Sequence, residues 1–103
     1  MDKRTAFKKV KMYAELVYSI LPSSRVVMFG SHVNGTQRED SDLDVAVVVD
    51  ELLGDFLDLA IRLYRLRRSV DDRIEPVLLI AGEDRSGFLE TILKTGYIVS
   101  KVS

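Results

Sequence analysis

The sequence predicts an α/β (α+β) domain, a mixed sheet with helices packed on it. Two runs, RVVMF at 25–29 and LDVAVVV at 43–49, are apolar and β-branched without alternation, as expected of strands covered on both faces. Two longer segments place apolar residues at helical spacing. Read in order, the chain gives α, β, loop, β, α, β, α.

From about Thr5 to Leu21, residues Ala6, Phe7, Val10, Ala14, Val17 and Leu21 share one stripe, with Lys8, Lys11, Glu15 and Ser19 opposite, and Pro22 stops the helix. The first strand spans Arg25 to Phe29, and Gly30 breaks it. Ser31 to Ser41 carries Asn34, Gly35, Asp40 and Ser41, so a loop with at most one helical turn is expected. Leu43 to Val49 is the second strand, its exit bounded by Asp50 and Gly54. Asp55 to about Val70 forms a second helix on Phe56, Leu59, Ala60, Leu63, Leu66 and Val70. Arg73 to Ile80 is a third strand, placed at an edge or bulge because Pro76 has no N–H for a ladder. A last helix, roughly Asp84 to Lys94, is expected to end at Gly96 in a left-handed cap, with Tyr97 to Val102 a short strand or tail.

The whole chain, 1–103, reads as one domain: 103 residues, 15 Lys plus Arg against 16 Asp plus Glu, and no cysteine. Without cysteine there is no disulfide framework, thiolate metal site or thiol nucleophile. The net charge of -1 supplies no global field for nucleic acid or an anionic membrane, so direct nucleic-acid binding is not expected and phosphate chemistry must rest on a local site. The segment MDKRTAFKKVKMY is too charged for a signal peptide and no apolar run approaches a membrane span, so a cytoplasmic protein is expected.

Topology gathers the polar residues. A helix between strands two and three favours a right-handed parallel crossover, which puts Asp42, Asp44 and Glu75 at one end of the sheet. If strand one runs antiparallel to strand two, Gly30 and Ser31 arrive there too. Asp42 and Asp44 are two apart in an extended segment, so both carboxylates project from one face while Leu43 points to the core. Carboxylates held this close repel unless a cation lies between them, and oxygen-only ligands suit Mg²⁺ or Mn²⁺. Glu75 supplies a third acid, either as ligand of a second metal or as the base for an attacking hydroxyl. Gly30 and Ser31 let backbone and hydroxyl approach a phosphate. Metal beside phosphate implies a nucleotide, with attack at the α- or the γ-phosphorus left open by the residue types.

Gly30-Ser31, ten intervening residues, then Asp42-Leu43-Asp44 resembles the signature of the minimal nucleotidyltransferases of the DNA polymerase β superfamily. Ser41, the apolar strand after Asp44, Ile74-Glu75-Pro76 and LETILKTG at 89–96 further resemble the branch encoded with HEPN-domain toxins as their antitoxins. The resemblance, over roughly Arg25 to Val99, implies a polymerase β-like fold with core strand order 1-2-3 and Mg²⁺-dependent transfer of AMP from ATP, in that branch onto a tyrosine of a partner HEPN toxin. It implies that Gly30 and Ser31 hold the triphosphate, that Asp42 and Asp44 bind the metals, and that Glu75 is the third acid. Arg38, the nearest cation in the loop after Gly30-Ser31, and Ser41 are expected to join the nucleotide contacts.

Two other functions fit the same residues. One is a binding module that neutralises its partner by complex formation; the other is a nucleotidyltransferase for an aminoglycoside-like alcohol, which needs a dimer or partner to complete a cleft. His32 reads as a loop residue facing solvent or hydrogen-bonding locally. Arg62, Arg65, Arg67 and Arg68 read as a solvated cationic helix end, and Tyr13, Tyr18, Tyr64 and Tyr97 as amphipathic packing residues.

Overall fold

The computed structural model describes residues 1–38, 40–83 and 86–100. Strands β1 (Arg25–Phe29), β2 (Leu43–Val49), β3 (Ile74–Ile80) and β4 (Tyr97–Val99) form one sheet in the order β3-β2-β1-β4. β1 runs antiparallel to β2 and β4, while β2 and β3 are parallel. The expected core order 1-2-3 holds, with β4 added beside β1. β3 lies at the edge, where Pro76 withholds no ladder donor that the sheet needs.

Helix α1 (Lys3–Ile20) begins earlier than its apolar stripe because the Asp2 carboxylate accepts the Thr5 amide at 2.7 Å and caps it. The loop after β1 contains one helical turn, α2 (Ser31–Asn34). Helix α3 (Phe56–Leu66) is capped by Asp55 and tightens into a 3₁₀ turn at Arg67–Ser69, so it stops short of Val70. Helix α4 (Phe88–Thr95) follows; Asp84 and Val102, the outer limits expected for the last two elements, lie outside the described residues.

Alternation along the strands builds two apolar layers. Val26, Met28, Val45, Val47, Ile74 and Leu78 pack with Ala6, Val10, Val17 and Leu63 of α1 and α3. On the other face Val27, Ala46 and Val48 pack with Leu89 and Ile92 of α4. The expected apolar face of α3 is only partly realised: Leu63 is buried, Leu59, Ala60 and Leu66 are half-buried, and Phe56 is exposed.

Gly96 departs from expectation. Its backbone is extended, at φ -86° and ψ 176°, rather than left-handed. What requires glycine is space: a Cβ there would stand 2.6 Å from the Ile92 carbonyl oxygen, 2.7 Å from Val27 Cγ1 and 2.8 Å from the Met28 carbonyl oxygen. The turn from α4 into β4 therefore lies flat against β1.

Tyr13 ties the two helices of one layer together. Its ring is fully buried and its hydroxyl donates to the Leu63 carbonyl at 2.6 Å, while burial pushes its pKa up. Tyr13→Phe removes this donor at constant shape and is expected to cost about 1–2 kcal/mol. Urea unfolding should show a lower midpoint with unchanged slope.

Candidate functional site

β-sheet register sets the acids. Phe29 of β1 lies across from Asp44 of β2, and Asp44 lies across from Glu75 of β3, so these three residues form one cross-strand row. Val27 and Ala46, on the same face one row on, pack against α4, so the row belongs to the α4 side of the sheet. Leu43 is fully buried on the opposite side, with α1 and α3, as expected. Asp42 is exposed and Asp44 half-buried. Asp44 has a pKa raised above the usual carboxylate range, first by burial, then by the charges of Asp42 and Glu75, with His32 opposing. The three acids and the loop thus form one electrostatic unit.

Gly30 closes the unit from β1. Its φ of +83° with ψ of -154° is open to glycine almost alone, and a Cβ there would drive into the Asp44 carboxylate. The Asp44 Oδ2 therefore rests against the bare Cα of the turn. The Gly30 carbonyl accepts from Val33 and Asn34, at 3.1 and 3.0 Å, which closes α2. The amides of Ser31 and His32 start that turn and have no acceptor within it.

His32 contradicts one part of its sequence reading: it does not face solvent but is 1% exposed. Its Nε2 lies 3.4 Å from the Ser41 carbonyl oxygen, and its Nδ1 is buried with no hydrogen-bond partner among the described residues. The ring thus spans from the Gly30 turn to the residue preceding Asp42, which is the local hydrogen bonding that the sequence did anticipate. Ser41 itself is used locally: its hydroxyl accepts the Arg38 amide at 2.7 Å, and its own amide donates to the Arg38 carbonyl at 3.1 Å. Arg38 is exposed on this turn.

Arg67 is the residue that sequence reasoning missed. Its side chain is only 13% exposed, stacked 3.8 Å over the Tyr64 ring, and it donates to the Asp72 and Ile74 carbonyls. Its Nη1 also lies 3.5 Å from Glu75 Oε1. Arg67 is therefore no part of a solvated ridge; it anchors the start of β3 and sets a positive charge beside Glu75. The signal was present, since Arg67 stands four residues after buried Leu63 and so continues the apolar stripe.

Among the described residues no three Asp, Glu or His side chains converge closely enough to hold a metal by themselves. Among the described residues the carboxylates therefore form no preformed cage. The donor set still fits Mg²⁺, which is bound through one or two carboxylates and completed by substrate phosphates and water. Asp42 and Asp44, near enough for the charge of one to act on the other, are the pair that would hold it. An apolar concavity of about 460 Å³ bounded by Leu21, Val49, Leu53 and Leu59 lies at the far end of β2, away from every acid of this row.

Comparison with known proteins identifies the fold and the family. No curated protein matches the chain significantly. A putative nucleotidyltransferase from Sulfolobus solfataricus, solved at 1.40 Å, has a similar fold with a TM-score of 0.70 over 96% of this chain and 83% of that one, at 21% identity. A toxin-antitoxin structure with AMP-PNP is similar at a TM-score of 0.52 over 100% of this chain and 76% of that one, at 19% identity. The family model described as "Polymerase beta, Nucleotidyltransferase" matches residues 10–102. The chain belongs to the polymerase β nucleotidyltransferase family.

Proposed function

We propose that this protein transfers AMP from ATP, with Mg²⁺, to a hydroxyl, the acceptor being a tyrosine of a partner HEPN toxin, and that it acts in this way as a cytoplasmic antitoxin within one domain. The observation that carries the reading is the row Phe29, Asp44, Glu75 meeting the Gly30 turn, with Asp42 near enough for its charge to act on Asp44. Asp42 and Asp44 would hold Mg²⁺, which neutralises phosphate charge when bound. The backbone after Gly30 and the Ser31 hydroxyl bind the β- and γ-phosphates, with Arg38 and Ser41 bordering them. The acceptor oxygen forms a bond to the α-phosphorus, the bond from that phosphorus to the bridging oxygen breaks, and pyrophosphate leaves. Glu75 receives the hydroxyl proton. His32 fixes the Gly30 turn against the start of β2, so phosphate and acids keep one spacing.

Two findings support a partner. A toxin-antitoxin structure shares the fold. Leu53, Phe56, Leu57, Ile61 and Tyr64 leave an exposed apolar stripe along and before α3, surface of the kind that another protein covers. The Arg67 contact to Glu75 favours a second reading, a module that neutralises its partner by binding alone. Incubation with α-labelled and, separately, γ-labelled ATP, Mg²⁺ and the co-expressed partner separates them. Label from the α position on a partner tyrosine is expected. Label from neither position on a partner that stays bound would establish the binding module, and label from γ alone would mean phosphoryl transfer.

A further inference from the structure

Beside the acids lies an aromatic pair that the reaction as described does not use. Phe29 is the cross-strand partner of Asp44, so its side chain leaves the same face of the sheet. Phe88, first residue of α4, meets Phe29 with ring centroids 5.7 Å apart and planes at 84°. In an edge-to-face pair each ring keeps at least one face outside the contact, whichever ring supplies the edge. Phe88 is 40% exposed, although Leu89 beside it is buried. An exposed aromatic thus stands one ring beyond the cross-strand neighbour of Asp44.

We propose that Phe88 is the stacking platform for the base of the nucleoside triphosphate, with Phe29 holding its ring in place. This rests on the triphosphate reading of the Gly30 turn. The platform requires that a nucleotide whose phosphates lie between that turn and Asp44 direct its base, one ribose away, onto the Phe29–Phe88 pair beside Asp44. A ring face reads area rather than the hydrogen-bonding edge, so the platform prefers purines over pyrimidines without separating adenine from guanine.

Calorimetry with Mg²⁺, comparing ATP, CTP and inorganic tripolyphosphate, tests this on wild type, Phe88→Leu and Phe88→Tyr. Leucine keeps the apolar contact with Phe29 and removes the ring; tyrosine keeps the ring. Phe88→Leu is expected to bind ATP roughly 5- to 20-fold more weakly, to lose the preference for ATP over CTP, and to bind tripolyphosphate as wild type does, while Phe88→Tyr stays near wild type. Transferred ring-current shifts on the adenine protons should be present in wild type and absent in Phe88→Leu, a signature that a packing role would not produce. Equal wild-type affinity for ATP and tripolyphosphate, or unchanged ATP affinity in Phe88→Leu, overturns the platform and leaves the phosphate site standing. Absence of binding by all three ligands to wild type overturns both.

Discussion

On the proposed reading, Asp44→Asn is expected to lower nucleotidyl transfer by at least ~10²-fold, because it removes a charge that would hold Mg²⁺ beside the reacting phosphate. The same substitution is expected to stabilise the ligand-free protein at neutral pH. Burial, Asp42 and Glu75 raise the Asp44 pKa above its unfolded value, so the folded state holds the proton more tightly. Stability therefore falls as pH rises from the unfolded carboxylate value, about 3.9, through the raised folded value, and stays lowered above it. Asn carries no such penalty. Thermal melts should show the variant above wild type at neutral pH, the gap closing in acid. With saturating Mg²⁺ and ATP the order should reverse, since only the wild type gains the binding energy. A variant that melts lower than wild type at neutral pH without ligand would mean that Asp44 is held by contacts worth more than its desolvation.

The opposing effects on activity and stability are what a site built for a cation should display. Asp44 is half-buried, so the cost of holding its charge falls where the carboxylate is withdrawn from water.

Much of this arrangement was legible because it rests on period and connectivity. β2 was readable to the residue, since an apolar run interrupted only by Asp44 and bounded by Asp42 and Asp50 has one solution, and the crossover rule then fixed which strand ends meet. What escaped depends on three-dimensional neighbours. Gly96 looks like any helix-ending glycine; its reason is the closeness of β1, which no local pattern carries. His32 in a polar loop gives no hint of burial, because the turn that buries it is fixed from outside by the start of β2. The charge of Arg67 masked its place on the apolar stripe of α3. Glu75 was placed correctly beside Asp44 by register, but its contact to Arg67 depends on a side chain eight residues earlier that looked solvated.

Gly30→Ala should be nearly as damaging to activity as loss of Asp44, and unlike that change it should also destabilise. Two costs add. The backbone at φ +83° and ψ -154° is strained for any residue with a Cβ, at about 1–3 kcal/mol, and the new methyl occupies the position of the Asp44 carboxylate. Gly35 separates the two. It has φ +80° and ψ 13°, the ordinary left-handed region, and open space where a Cβ would be. Gly35→Asn is therefore expected to be close to neutral in urea unfolding and in transfer. The steric part at Gly30 can be isolated by a double-mutant cycle with Asp44→Ala, which empties the space the methyl would enter. If Gly30 serves to admit the carboxylate, Gly30→Ala costs markedly less stability in the Asp44→Ala background than in wild type, a coupling of at least ~0.5 kcal/mol. Equal costs in both backgrounds would reduce the glycine to a backbone requirement and would leave the seat of Asp44 to be set by β2 alone.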